Sequence, residues 1–576
     1  MALLGVLSVP AWSDVLRGTG WLFLVLISAA IVNGYRVRKT YKDLEKQGIP
    51  IMKHSWIWGH LPVMGEIMEM LPADAHSDYM MMIIQENWQR FFPQCKSCPP
   101  VIYLDGWPMM PRTVISINAA LSWQFTSDYS LQKARQQKEI LYPLTKNLDL
   151  SSMEGAEWKT WKKRLSVGFS IQYITSRIPD IIEEVEDFVK ILEGKAGKDG
   201  DWGDVFQLGE LATSLALDVI FRFFFNKRFH EQKQRSETSR ATIDIMSRMY
   251  FFVNVANFLD FYSPWRRFKL WQSYRSLTKE LTPLIQETAA RTRGGDGPAP
   301  SKSLIELIVA SLEEERAEKG AGGTGPLVLD KATTEMAIGQ LNTFVFAGHD
   351  TTSATMCWYL RVIYQYPAVL ERLRKEHDEV LGPDPLQAAE RLRQNPNLLN
   401  ALPYTAAIFK ESTRIHTNVG SMRRGEPGFF IYGPPGSGEY EGMALPTEKF
   451  VVWDGTFAAH RDPEVWHRAS EFLPERWLVT DEADPLHPPK NGWRFFASGP
   501  RMCIGQHLAM VEVKLVAVML ARRFDIECAW DKWDALNKRD TSKTAAMIWG
   551  DRCYQVGRDG PPHVKDEMPV HIRLRR

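Results

Sequence analysis

The chain has 576 residues, with 70 Lys+Arg against 69 Asp+Glu and a formal net charge of +1, which excludes binding of nucleic acid through bulk charge. Six cysteines in this length exclude a disulfide scaffold, and 44% hydrophobic with 24% charged residues excludes disorder. A large enzyme is the expectation, and 20 Trp with 28 Phe supply a sizeable core and room for a flat apolar ligand.

Gly20 to Val32 (GWLFLVLISAAIV) is an apolar run followed by Arg36, Arg38, Lys39 and Lys42. Positive charge after an apolar segment keeps its C-terminal side in the cytoplasm. Residues 1–35 are therefore expected to form an N-terminal membrane anchor helix; a cleaved signal peptide and a soluble helix are the competing readings. Residues 36–62, with Gly48, Pro50, Gly59 and Pro62 among basic side chains, read as a linker. The remainder, 63–576, reads as one catalytic domain.

Helical periodicity dominates from Ala73 to Leu373, as in Ile178–Leu192 and Gln207–Phe225. Gly-rich breaks at 291–301 and 320–326 bracket one helix. A longer helix starts at Asp330, a candidate N-cap, and meets no proline until Pro367, a rod of roughly 50 Å. Its middle, Phe346-Ala347-Gly348-His349-Asp350-Thr351-Thr352-Ser353, is rich in poor helix formers. This predicts either a solvated weak spot or a buried polar notch where the helix opens beside a bound group. Short strands at Phe429–Tyr432 and Lys449–Trp453 follow, so the fold class is mainly α with small β-sheets.

Two constellations carry chemistry. Phe496-Ala497-Ser498-Gly499-Pro500-Arg501-Met502-Cys503-Ile504-Gly505 precedes an apolar helix from Gln506. A cysteine at a helix start is stabilised as its thiolate, a nucleophile or soft metal ligand; an inert core thiol is the plainer alternative. Glu411 and Arg414 share a helix face, and Arg476 in Pro474-Glu475-Arg476-Trp477 can join them in a buried network; a surface pair is the plainer alternative.

These motifs, in this order, resemble the cytochrome P-450 superfamily of haem-thiolate monooxygenases, from Gly59 to the C-terminus; His460-Arg461-Asp462-Pro463 fits as well. The resemblance implies the P-450 fold with its long central helix, and haem b with Cys503 as axial metal ligand. Phe496 would pack on the thiolate side, and Gly499 and Gly505 would let backbone approach the porphyrin. Asp350 and Thr351 would be the catalytic acid–alcohol pair delivering protons. Glu411, Arg414 and Arg476 would be structural. Arg501 and Arg423 or Arg424 would meet the haem propionates, with Trp158 and Lys162 standing where the family usually has Trp and Arg. Thr417 stands where a proline commonly follows.

The implied activity is hydroxylation, epoxidation or desaturation of a small hydrophobic substrate. Electrons would come from NADPH–cytochrome P-450 reductase, since the chain has no Gly-rich dinucleotide fingerprint, and Lys162 and Lys163 would lie on the docking face. Ser421-Met422-Arg423-Arg424-Gly425 and Gly550–Val556 resemble fungal secondary-metabolism members. The implied place is the endoplasmic reticulum membrane, with the catalytic domain cytosolic. The alternative is a haem-thiolate isomerase or dehydratase, or a ligand-binding haem protein. Cys95-x-x-Cys98 has zinc-like spacing without a second pair, and His349 reads as helix packing.

Overall fold

Six helices position everything that follows: α1 (Trp12–Lys46), α2 (Gly155–Gly168), α3 (Leu208–Phe225), α4 (Lys331–Gln365), α5 (Pro403–Ile415) and α6 (Gln506–Leu520). They belong to a computed structural model that describes residues 12–250, 257–292, 303–318, 329–418, 420–540, 546–557 and 561–575. The Gly-rich breaks expected at 291–301 and 320–326 lie outside these residues from 293 onward.

α4 is 35 residues long, about 52 Å at 1.5 Å per residue. Asp330 caps it, its carboxylate accepting the Thr333 N–H at 2.7 Å. It ends at Gln365, because Pro367 drives the preceding Tyr366 into an extended conformation. Most of its circumference is buried, from Ala337 to Ile363, so it runs through the main core rather than along it. α3 packs along one side, and α5 and α6 flank the other. The helix does not open at its polar middle. Residues 346–353 stay α-helical, with Thr351 Oγ1 donating to the Ala347 carbonyl at 2.6 Å. Gly348 is explained by α3 instead, since a Cβ there would meet Ile220 Cδ1 at 2.6 Å.

The sheets are small, as expected. The largest has four strands in the order Val101–Leu104, Thr113–Ser116, Val451–Asp454, Met422–Arg424, with only the middle pair parallel. A three-stranded sheet joins Phe206–Gln207, Pro569–Leu574 and Phe524–Cys528, and a two-stranded one joins Gln555–Val556 to His563–Val564.

The N-terminal expectation needs correction. Among the described residues, no helix is long and apolar enough to cross a membrane, and so the anchor assigned to 1–35 is not supported. The apolar run Gly20–Val32 is shorter than the roughly 20 residues a bilayer requires. Nor does the chain change character at residue 36, for α1 continues to Lys46. Residues 36–62 pack into the globule instead of spacing it. Arg38, Tyr41 and His60 are buried; Arg38 pairs with buried Asp105, and His54 Nε2 lies 2.8 Å from the same carboxylate. Tyr41 donates to the Leu104 carbonyl at 2.6 Å. A basic residue that reads as solvated in sequence is here the counter-charge of a buried acid.

Candidate active site

A cavity of ≈ 440 Å³ lies between α4 and the loop before α6. Phe169, Phe223, Phe224, Phe344 and Phe346 line it, with Cys503 and Thr351 also on its wall. Cys503 is exposed, on the wall of this cavity. Burial pushes its thiol pKa up, and the Gly505 and Gln506 N–H groups pull it back only partly. The helix-start effect expected from sequence is present but outweighed by desolvation.

The loop itself is held by packing. The Cys503 N–H donates to the Phe496 carbonyl at 2.9 Å, and the Phe496 ring lies parallel to Phe409 at 6.2 Å. Gly499 has φ +74°, and a Cβ there would strike the Thr126 carbonyl oxygen at 2.4 Å, so glycine is required by the neighbouring backbone. At Gly505 a Cβ would meet only the Cys503 sulfur, at 3.8 Å.

Lys133, Lys162 and Arg501 line the cavity, and Arg423 lies behind Lys133, whose backbone is bridged to it. Arg423 is fully buried, and none of its three guanidinium nitrogens has a partner. Burial, then repulsion from Arg501, pushes its pKa down to about 10. Lys133 is pushed down to about 7 by burial and by Arg423 and Arg501. Arg501 lines the cavity and is already partnered. It pairs with Glu154, donates to the Met153 carbonyl at 2.9 Å and lies over the Trp158 ring at 4.0 Å. Lys162 donates to the Pro500 carbonyl and lies 5.0 Å from the Trp158 ring. Arg424 faces outward, donating to Gln132 at 2.7 Å.

Asp350 and Thr351 part company across α4. Thr351 lines the cavity; Asp350 is buried behind it and meets His563 Nε2 at 3.3 Å. Asn418 Nδ2 donates to the Thr351 carbonyl at 2.9 Å and to Thr355 Oγ1 at 3.0 Å, fixing this stretch from the α5 side. His349 is buried within the helix, as expected, with burial lowering its pKa.

Beneath the cysteine loop, Glu411 accepts from Arg414 Nε and Nη2 at 3.0 and 2.9 Å, from Arg476 Nε at 3.0 Å, and from the Trp477 indole at 3.0 Å. Arg414 also donates to the His460 and Ala469 carbonyls, both at 2.8 Å. All three charged groups are buried, so the network reading holds over the surface-pair reading.

The family model "Cytochrome P450" matches residues 83–545. The chain belongs to the cytochrome P450 family. It is 33% identical over 562 residues to cytochrome P450 monooxygenase polC of Polytolypa hystricis, covering 96% of this chain and 94% of that one. It is 26% identical over 505 residues to cytochrome P450 monooxygenase acrF of Aspergillus aculeatus, covering 84% and 95%. The crystal structure of cytochrome P450DA heme domain shares the fold, with TM-score 0.64 and 18% identity over 92% of this chain and 96% of that one. P450 monooxygenases are haem-thiolate enzymes with haem b on a cysteine.

The residues present fit that group. An orphaned, buried guanidinium beside a lysine of depressed pKa is a place prepared for the carboxylates that haem b carries. An aromatic cavity ending on a thiol suits a flat apolar ring and a soft-ligand metal.

Sequence reasoning missed Lys133, Glu154, Asn418 and His563, and also Glu512, a buried carboxyl lining the cavity with Oε2 unpartnered and its pKa pushed well up by burial. Glu512 sits inside an apolar helical run, a placement that itself signals a special environment. The others come from loops and a hairpin brought in by tertiary packing. The Cys95/Cys98 pair gathers no metal-binding cluster among the described residues.

Proposed function

We propose that Cys503 holds the haem iron as a thiolate and that the chain uses dioxygen to oxidise a small hydrophobic substrate in the phenylalanine-lined cavity. The carrying observation is the Cys503 thiol and Thr351 together on the wall of one aromatic cavity. Haem bound there supplies the redox chemistry of dioxygen activation; side chains do the rest. The Gly505 and Gln506 amides stabilise the sulfur anion once metal displaces its proton. Arg423 and Lys133 take the propionates. The phenylalanines exclude water and orient apolar substrate. Thr351 Oγ1, fixed against the Ala347 carbonyl, holds a hydroxyl proton at the cavity wall, and Asp350 behind it resupplies protons. Glu411, Arg414 and Arg476 keep the cysteine loop in register.

Electrons would come from NADPH through a separate reductase docking near α2, whose Lys162 meets Pro500 of the cysteine loop and whose Lys159 and Lys163 are exposed. Hydroxylation, epoxidation or desaturation in fungal secondary metabolism is favoured by the polC and acrF likenesses. The exposed Trp21, Phe23, Leu24 and Val25 of α1 favour contact with an endoplasmic reticulum membrane surface.

The deciding experiment is the carbon monoxide difference spectrum of the reduced holoenzyme. A thiolate-type band that is lost in Cys503→His is the expected result; a histidine-type band in the native protein overturns the assignment. Thr351→Ala should divert NADPH-driven turnover to peroxide, whereas an isomerase or sensor would be indifferent.

A further inference from the structure

Asp350 has a feature that its place in the acid–alcohol pair does not account for. The carboxylate is 9% exposed, yet Oδ1 lies 3.3 Å from Nε2 of His563, a side chain 38% exposed. His563 sits on the strand His563–Val564, near the C-terminus and more than 200 residues beyond Asp350. Its other nitrogen, Nδ1, lies 3.8 Å from Oε1 of Glu567, itself 37% exposed. One imidazole therefore stands between a half-buried acid and an acid in the interior, one ring nitrogen toward each. Exposure falls along the series from Glu567 and His563 to Asp350, and the next residue, Thr351, faces the cavity.

The other charged groups around it are named by the same geometry. Glu567 feels Glu210 at the start of α3 and Asp566 beside it, and its carboxylate lies against Gly209, where a Cβ would meet Oε2 at 2.3 Å. His349, on α4, feels Asp350, Arg235 and His563. Asp566 is itself paired with Arg539 at 2.6 Å. Histidine is the side chain that gains and loses a proton between about pH 5 and 8.

We propose that His563 is the proton-entry residue for Asp350, taking protons from solvent past Glu567 and passing them inward. This rests on the acid–alcohol reading of Asp350 and Thr351. In the step, the Nε2–H bond of the imidazolium breaks and an Oδ1–H bond forms on Asp350. The neutral imidazole keeps its Nδ1–H; a turn of the half-exposed ring brings the bare Nε2 to solvent on the Glu567 side, where hydronium reprotonates it and leaves water, so each cycle moves one proton and no electrons. The route would make the efficiency of proton delivery depend on the charge of one half-exposed histidine, a control that a helix-bound acid–alcohol pair lacks by itself.

Two measurements test it on the full-length holoenzyme. The first is site-resolved hydrogen–deuterium exchange at the imidazole C2 of His563, which reports its protonation midpoint without turnover. Asp350→Asn should move that midpoint, because Oδ1 lies 3.3 Å from the ring nitrogen. Glu567→Gln should move it as well. An unchanged midpoint in both variants means that the pair does not interact in solution and overturns the proposal.

The second measurement is peroxide released per NADPH oxidised with reductase, without added substrate, across the same pH range. His563→Gln should raise the ratio and remove its pH dependence, while Thr351→Ala serves as the reference for failed proton delivery. If Thr351→Ala raises peroxide and His563→Gln does not, the entry route is wrong and the acid–alcohol reading stands. If Thr351→Ala itself changes nothing, that underlying reading fails. Should His563→Gln lose its haem, His563→Asn and the exchange midpoint of the native ring against Asp350→Asn decide.

Discussion

Lys133 and Arg423 are costly as they stand, and the cost has a sign that can be measured. A lysine ordinarily titrates near 10.4, and Lys133 in the folded chain titrates near 7 because burial and two arginines oppose its charge. Between those values the unfolded chain holds the extra proton, so folding stability rises with pH across that window and is lowest on its acid side. Lys514, pushed down to about 8, adds to the same slope. The haem-free chain should therefore show a Tm that climbs from about pH 7 to 10, and Lys133→Met should flatten part of the climb. Arg423 makes a sharper case, being buried with no partner on any of its nitrogens. Arg423→Met should raise the Tm of the haem-free chain, since an unpaired buried charge is removed, yet lower haem retention in the loaded protein. A fall in both would mean that Arg423 is a structural residue with no role toward an anionic ligand.

At the scale of the element, α4 gains its ends from local rules and its middle from its neighbours. Asp330→Ala should cost about 0.5–2 kcal/mol in urea unfolding, the usual worth of a capping carboxylate. Asn418 acts on the other part of the helix. Its amide spans the Thr351 carbonyl and Thr355 hydroxyl, so Asn418→Leu should leave both without this donor and cost about 1–3 kcal/mol. The same variant should increase peroxide release, because it loosens the turn that carries Thr351. Loss of stability with unchanged coupling would confine Asn418 to a structural part.

Across the whole molecule, the Glu411 network ties α5 to the segment 460–477, and His460 and Thr413 in turn bond Arg494 and Trp493 just before the cysteine loop. Removing one partner of a buried pair leaves the others uncompensated, at about 3–5 kcal/mol. Glu411→Gln should therefore lower the urea midpoint and release haem, and Arg414→Lys should do nearly as much, because lysine lacks the fork that grips both carboxylate oxygens. A midpoint within error of native for Glu411→Gln would remove this network from the account of the fold.

Much of this was legible along the chain, and unevenly so. The N-cap Asp330 and the stop before Pro367 are local, as are the strands read at Phe429–Tyr432 and Lys449–Trp453, found at Phe430–Tyr432 and Val451–Asp454. The cysteine loop and the Glu411–Arg414 pair were legible because chemistry and spacing lie within a few consecutive residues. The long-range pairings were not. Arg38 counts in sequence as one of the charges after an apolar run until Asp105 is folded against it, and nothing in the motif around Arg501 points to Glu154. Nothing near His563 in sequence points to Asp350, which reaches it only through the packing of the C-terminal hairpin on α4. Sequence by itself determined the helices, the chemical groups and the family they resemble, since propensity, capping and motif spacing act over a few residues. Only tertiary structure decided which charges are paired, which are left waiting for a ligand, and which acid has a path to water, because burial and distance are properties of the packed chain.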